Sequence, residues 1–347
     1  MPRSGRALAA VVAVLVAACG GAASPTPPGS PGGTSTPSDP TAPLFAAVYA
    51  SADQGPATEA AAFTATIDEL GGRSAVGDAR RDPRIAVRLV EEAIAAGARG
   101  ISVTAPDAST GPALARLASS AGVPLVATQA RIVDDVGRPV PFVGIDDRDL
   151  GTSVGAAAAA LIAESRWKGT EVGVLSVEVQ TLASCAARAE GQRAALQDAG
   201  IPPANFVAVP FSGEVRSAED AALPLITAGP QVTRWVVVGC TDQGVQGGLN
   251  ALATAGFTTA DVIGVGLGAD LACRAWAHDE ETGFRAALFV YGGDVGATAA
   301  RILWDAAQDR DPLPAETIVH GTIVTPDSYE DLVPASFAAA CAGPASP

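Results

Sequence analysis

Tyr49, Asp53, Gln129, Arg131, Arg188, Thr241, Asp270 and Tyr291 are the residues best placed to recognise a ligand. Each follows a predicted strand or opens the next predicted helix, so a sheet-based fold can gather them at one polar cleft. Their chemistry is that of binding. Amides, carboxylates and guanidinium groups can saturate neighbouring hydroxyls, and a tyrosine face can cover an apolar ligand face. Bland readings stand beside these: Arg188 as a surface helix arginine, Thr241 with Asp242 as a helix start, Asp53 and Gln129 as solvated loop positions. Asp146 reads as a hinge or cap residue, and Trp167, Trp235 and Trp304 as packing residues, with Trp276 undecided. Catalysis is not expected. There is no Ser, His and Asp trio and no phosphate-binding loop, and GVGLGAD at 264–270 lacks the dinucleotide spacing. A glycosidase would need two opposed carboxylates, and no such pair is identified. Only two histidines, His278 and His320, and five scattered cysteines are present, none with C-x-x-C spacing, so neither a metal nor a cofactor is expected.

The positioning framework is large. At 347 residues, 48% hydrophobic and 17% charged, the chain suits two domains rather than one. Its 22 basic and 37 acidic residues give a net charge of −15, which leaves little scope for a phosphate-binding basic surface, so nucleic acid is not an expected partner. Arg3 and Arg6 precede an apolar run from Ala7 to Ala18, the length of a signal-peptide core. Residues 1–18 are therefore expected to be removed. The run ends in Val16-Ala17-Ala18-Cys19-Gly20, which resembles a bacterial lipobox and makes Cys19 the expected lipidation site. Residues 20–43 hold seven Pro, five Gly, four Ser and four Thr, with no large apolar side chain to drive folding, and read as a tether. Acyl chains on Cys19 would anchor the body to a membrane at its extracytoplasmic face.

From Leu44 onward, short apolar runs alternate with longer helical segments, the pattern of an α/β parallel sheet. Strands are expected at Leu44–Tyr49, Gly100–Thr104, Pro124–Thr128, Val140–Ile145, Glu171–Val177, Phe206–Pro210, Trp235–Cys240, Val262–Leu267 and Ala286–Val290. Most are apolar throughout, as suits strands covered on both faces. Helices are expected over Pro56–Leu70 and Pro83–Ala96, and Ala156–Ala160 reads as a packed helix interior. A βαβ unit around 205–240 looks like a second copy of the first, giving two doubly wound halves that meet near Val143–Asp147. With Cys19 assigned to lipid, four cysteines remain in an exported chain. Strand order brings Cys185 near Cys240, which leaves Cys273 for Cys341; four buried free thiols are the alternative.

Three stretches carry a family resemblance: GARGISVTAPD at 97–107, VGRPVPFVGIDDRDLG at 136–151 and RWVVVGCTDQGVQGGLNALATAGFTTADVIGVGLGAD at 234–270. They resemble the type I periplasmic solute-binding proteins, most closely the arabinose-binding branch, over nearly all of 44–335. The resemblance implies two lobes joined by three hinge crossovers, near Ile145, Phe289–Tyr291 and Gly321–Thr325. The N-terminal lobe would span 44–145 plus about 291–320, and the C-terminal lobe 146–290 plus about 321–342. Of the arabinose-site residues, the helix arginine matches Arg188, with Ser184 where the family has threonine, on one helix face. The asparagine after VVVG is Thr241. The first-loop lysine and acid fall on Tyr49 and Asp53, the loop tryptophan on Gly55, the aspartate pair on Gln129 and Ala130 beside Arg131, and a second asparagine on Gly268, two residues before Asp270.

The expectation is thus a lipid-anchored receptor of an ABC importer that closes two lobes on a small polar solute, a monosaccharide first. A membrane permease would be its protein partner. A sugar acid, polyol or nucleoside is the alternative ligand, and Arg131 with Arg188 suits the acid. A lipoprotein that senses a ligand and signals to a membrane kinase is the alternative of another class.

Overall fold

The computed structural model describes residues 39–51, 54–308 and 312–343. The expected signal peptide, Cys19, the tether up to Ser38, and Asp53 lie outside the described residues. Apolar runs become strands and most of the intervening segments cross over as helices: β1 (Leu44–Tyr49), α1 (Gln54–Glu69), β2 (Arg73–Asp78), α2 (Pro83–Ala95), β3 (Ala98–Val103), α3 (Gly111–Ala121), β4 (Leu125–Thr128) and, after a loop without a helix, β5 (Phe142–Gly144). The chain then starts a second set: α4 (Asp147–Glu164), β6 (Val172–Glu178), α5 (Ala183–Asp198), β7 (Phe206–Pro210), α6 (Val215–Ala228), β8 (Arg234–Gly239), α7 (Asp242–Thr254), β9 (Val262–Leu267), α8 (Asp270–Ala277) and β10 (Phe284–Phe289). It returns through α9 (Gly292–Ala307) and β11 (Glu316–Ile318), and finishes with β12 (Thr322–Val324), α10 (Tyr329–Leu332) and α11 (Ala335–Cys341).

Two six-stranded sheets result, ordered β11-β5-β4-β3-β1-β2 and β12-β10-β9-β8-β6-β7. Apart from β11 and β12, each strand of one sheet has a counterpart at the same place in the other. All pairings are parallel except β10 with β12. Both faces of each sheet are buried, with Phe45, Phe63 and Leu303 on one face of the first and Leu175, Trp235 and Leu252 on one face of the second. Doubly covered strands explain why the expected runs are apolar throughout.

The sequence reading has no strand at β2, and the reason is physical. β2 is an edge strand whose central Ala75 and Val76 are exposed, so RSAVGD needs no apolar run. The three-residue β11 and β12 are also missed.

The chain passes between the sheets three times, at residues 145–146, 290–291 and 319–321. The first two crossings leave from the carboxyl ends of β5 and β10. The third leaves the carboxyl end of β11 and enters β12, whose Thr322 pairs with Phe289 at the carboxyl end of β10; this is why β12 runs antiparallel. The carboxyl ends of both sheets therefore meet at the junction of the lobes. Asp146 caps α4, accepting from the backbone N–H of Arg148 at 2.9 Å and Asp149 at 3.0 Å. At the third crossing the Val319 N–H donates to the Gly144 carbonyl, 2.7 Å, and His320 Nδ1 lies 2.7 Å from Asp149 Oδ2.

Candidate functional site

In the C-terminal lobe the site is built where α5 meets α4 and the end of β8. Gly151 of α4 lets the helices touch: a Cβ there would fall inside the carbonyl of Arg188. Arg188 is thereby held beside the start of α4. Its Nε donates to Asp147 Oδ1 at 2.8 Å and its Nη1 to the Cys240 carbonyl at 2.8 Å, with the side chain only 18% exposed. One turn on, Gln192 Nε2 donates to the Gly239 carbonyl at 2.8 Å. Ser184, half-buried, precedes Arg188 by one turn on α5. Cys185 is bonded to Cys240, with Cα atoms 5.0 Å apart, which staples α5 to the segment that carries Thr241. A second disulfide joins Cys273 to Cys341 across α8 and α11.

Thr241 occupies the N-cap position of α7 but makes no capping bond, and its hydroxyl oxygen is buried without a partner. Asp242 does the bracing instead, and no sequence signal singled it out for this role. It is 2% exposed; its Oδ2 accepts from the N–H groups of Leu271 (3.0 Å) and Ala272 (3.3 Å), while its Oδ1 is unpartnered against Gly266. Burial, and secondarily the charge of Asp270, push its carboxyl up to about 6, against the lowering effect of backbone N–H donors from Ala272, Leu271 and Ala269. The bonds fix the turn after β9, where Gly268 (φ 121°) and Ala269 (φ 69°) are left-handed. Asp270 follows, exposed, its carboxyl raised by partial burial and lowered by Arg274 one turn on.

In the N-terminal lobe, Tyr49 ends β1 half-buried, and Tyr291 stacks on Phe289 with centroids 6.2 Å apart at the second crossing. Gln129 follows β4 in the left-handed region (φ 62°), an unfavourable state for a non-glycine residue. Its Nε2 donates to Glu59 Oε2 at 2.7 Å. Glu59, 5% exposed on α1, also takes a bond from the Thr128 hydroxyl, which lies 2.7 Å from Thr104 Oγ1. Burial raises the Glu59 carboxyl and these donors lower it. Tyr49, Glu59, Ser102 and Thr104 line one small recess. The sequence reading does not single out Glu59. Only the register of the two halves carries a signal for it, since it lies ten residues past the end of β1, as Arg188 lies ten past the end of β6.

Arg131 is placed elsewhere. The loop after β4 carries it back toward the amino ends of β5 and β11, where it pairs with Glu316 and stacks 4.3 Å over the Phe142 ring. It does not join Gln129 at the carboxyl end. The tryptophans pack: Trp235 is 1% exposed, Trp304 lies 5.4 Å from Phe45, and Trp276 donates to the Phe284 carbonyl at 3.1 Å. Arg234 covers Trp167 at 5.5 Å.

Residues 48–311 match the profile of the periplasmic binding protein domain. An ABC transporter L-arabinose-binding periplasmic protein of Azospirillum brasilense is 30% identical over 243 residues, covering 67% of this chain and 72% of that protein. An L-arabinose-binding periplasmic protein of Escherichia coli (strain K12) is 26% identical over 250 residues, covering 71% and 76%. Among solved structures, an arabinose binding protein from Geobacillus stearothermophilus superposes with a TM-score of 0.60 at 18% identity, over 84% of this chain and 100% of that one. An ABC transporter periplasmic solute binding protein from Actinobacillus succinogenes with bound D-allose gives 0.57 at 17% identity, over 82% and 98%.

Proposed function

Because this chain belongs to the periplasmic binding protein domain family, we propose that it is the receptor of an ABC importer for a monosaccharide, of which L-arabinose is the first to test. As a member of that family it binds a solute rather than transforming one. What supports the sugar reading is that Tyr49 ends β1, Gln129 follows β4, Asp270 follows β9, and Ser184 and Arg188 lie on the helix after β6, while the crossings between the two sheets leave from carboxyl ends of strands. Such a set supplies donors and acceptors but no nucleophile and base in contact. Ligand held between the lobes would favour the closed form by the difference in its affinity for closed over open states. A permease would then read the closed surface.

The arginines weigh against a sugar acid. Arg131 is paired with Glu316 away from the carboxyl ends, and the charge of Arg188 is already matched by Asp147. Asp53, outside the described residues, remains a proposed contact. Among the described residues no helix is long and apolar enough to cross a membrane, and attachment is proposed to run through lipid on Cys19. Calorimetric titration of the purified chain with L-arabinose, other aldoses and L-arabinonate tests the ligand. Saturable sugar binding is expected, and a chain that binds only the acid, or nothing, overturns the reading. Cys19→Ser should leave the membrane fraction; full retention there defeats the anchor.

A further inference from the structure

Glu59 and Arg188 occupy equivalent places in the two lobes. Each lies on the first helix after its lobe's first strand, ten residues beyond that strand's last residue (49 to 59 and 178 to 188). Each has its backbone carbonyl against a glycine of the crossover helix: a Cβ on Gly296 of α9 would fall inside the carbonyl of Glu59, as one on Gly151 of α4 would for Arg188. The correspondence breaks at the counterion. Four residues before Gly151 stands Asp147, which pairs with Arg188, whereas four residues before Gly296 stands Gly292, which has no side chain to offer Glu59. The partners of Glu59 are the Thr128 hydroxyl and the Gln129 amide.

An ionised carboxylate only accepts hydrogen bonds. Glu59 therefore takes the NH₂ end of Gln129, which leaves the carbonyl oxygen as the end of that exposed side chain available to a ligand. We infer that Glu59 is a specificity-determining residue of the proposed ligand site: by fixing the amide of Gln129 it makes this wall an acceptor of hydroxyl protons and turns away ligand carboxylates. The inference rests on the receptor reading above. A carboxylate at this wall would meet that carbonyl oxygen, with the buried Glu59 charge behind it paired to no cation among the described residues, whereas a hydroxyl would donate to that oxygen. One such mismatch in a desolvated site is worth about 10- to 100-fold in affinity.

The test compares D-galactose with D-galacturonate, which share the L-arabinopyranose ring and differ by a hydroxymethyl against a carboxylate on C5, by calorimetric titration of the full chain. The wild type is expected to prefer the neutral sugar by about 100-fold or more. Glu59→Gln can both donate and accept, so the orientation of Gln129 is no longer forced, and the preference should narrow about tenfold. Gln129→Met removes the amide at an exposed position and should narrow it as much, which keeps the test intact if Glu59→Gln folds poorly. A purely structural Glu59 would weaken both ligands together and leave the ratio unchanged; that result in either folded variant overturns the inference. A wild type that binds no aldose and no sugar acid overturns the receptor reading itself, which separates the two failures.

Discussion

The two lobes share one plan and secure it differently. In both, the helix after the first strand lies against a crossover helix at a glycine, and in both a left-handed turn follows the equivalent strand, Gln129 after β4 and Gly268-Ala269 after β9. In both, a buried carboxylate braces that turn, Glu59 from α1 and Asp242 from α7. The C-terminal lobe adds two disulfides and the Arg188–Asp147 pair, while the N-terminal lobe contains no cysteine. Backbone register alone thus sets where the candidate site groups stand. The sign of the charge and the stiffness of its support are free to differ between walls, and the C-terminal wall is the preorganised one.

The largest expected effect removes that asymmetry. The disulfides close loops of 55 and 68 residues, and chain-entropy arithmetic gives each about 4 kcal/mol. Reduction, or the Cys185→Ser/Cys240→Ser and Cys273→Ser/Cys341→Ser pairs, should lower melting of the C-terminal lobe by roughly 10 °C per bond and split it from the N-terminal lobe in scanning calorimetry. A single transition that moves as one would show that the lobes unfold together. Next in size are the shared contacts. Gly151→Ala and Gly296→Ala each insert a methyl into a backbone carbonyl and should cost about 2–4 kcal/mol, each in its own lobe. If one is tolerated, the lobes are not packed alike.

Asp242 sharpens the comparison through pH. Its folded value of about 6 lies above its ordinary 3.8, so between these values the folded state holds the proton more tightly than the unfolded chain. Its contribution is present in full below about 3.8 and is lost as pH rises through 6, on the order of 3 kcal/mol. Asp242→Asn carries no charge at any of these values. The stability difference between wild type and variant, from urea midpoints at pH 4, 5, 6 and 7, should therefore grow in the variant's favour as pH rises. A difference that stays flat would mean that Asp242 is hydrated and free to ionise.

How much of this can be read in the chain depends on whether a feature is local. The strands β6, β8 and β9 announce themselves because burial on both faces demands continuous apolar runs, whereas β2 at an edge makes no such demand. The candidates Arg188 and Ser184 lie on the helix that follows one such strand, and Thr241 lies two residues past the end of another, so the strand pattern points toward them. Arg131 misleads for the opposite reason: its neighbour Gln129 stays at the carboxyl end of β4, but its partner Glu316 is 185 positions away, and no local pattern encodes that pairing. Glu59 sits in an alanine-rich helix with no motif around it. Its position is recoverable only by aligning the first half of the chain on the second, since the shared geometry is a property of the fold rather than of the neighbouring residues.

The smallest effect concerns the link between the lobes. His320 on the third crossing meets Asp149 on the first turn of α4 at 2.7 Å, but the side chains are 67% and 38% exposed. Water competes for both groups, and exposed pairs of this kind contribute at most about 1 kcal/mol. His320→Gln should therefore shift melting by less than about 2 °C and change sugar affinity by no more than about threefold, a ratio equivalent to about 0.7 kcal/mol. A larger loss of affinity with unchanged melting would mean that the pair favours the closed arrangement over the open one. The comparison between the lobes would then have to include the hinge as a third element with its own preference, because neither wall would by itself set how tightly ligand is held.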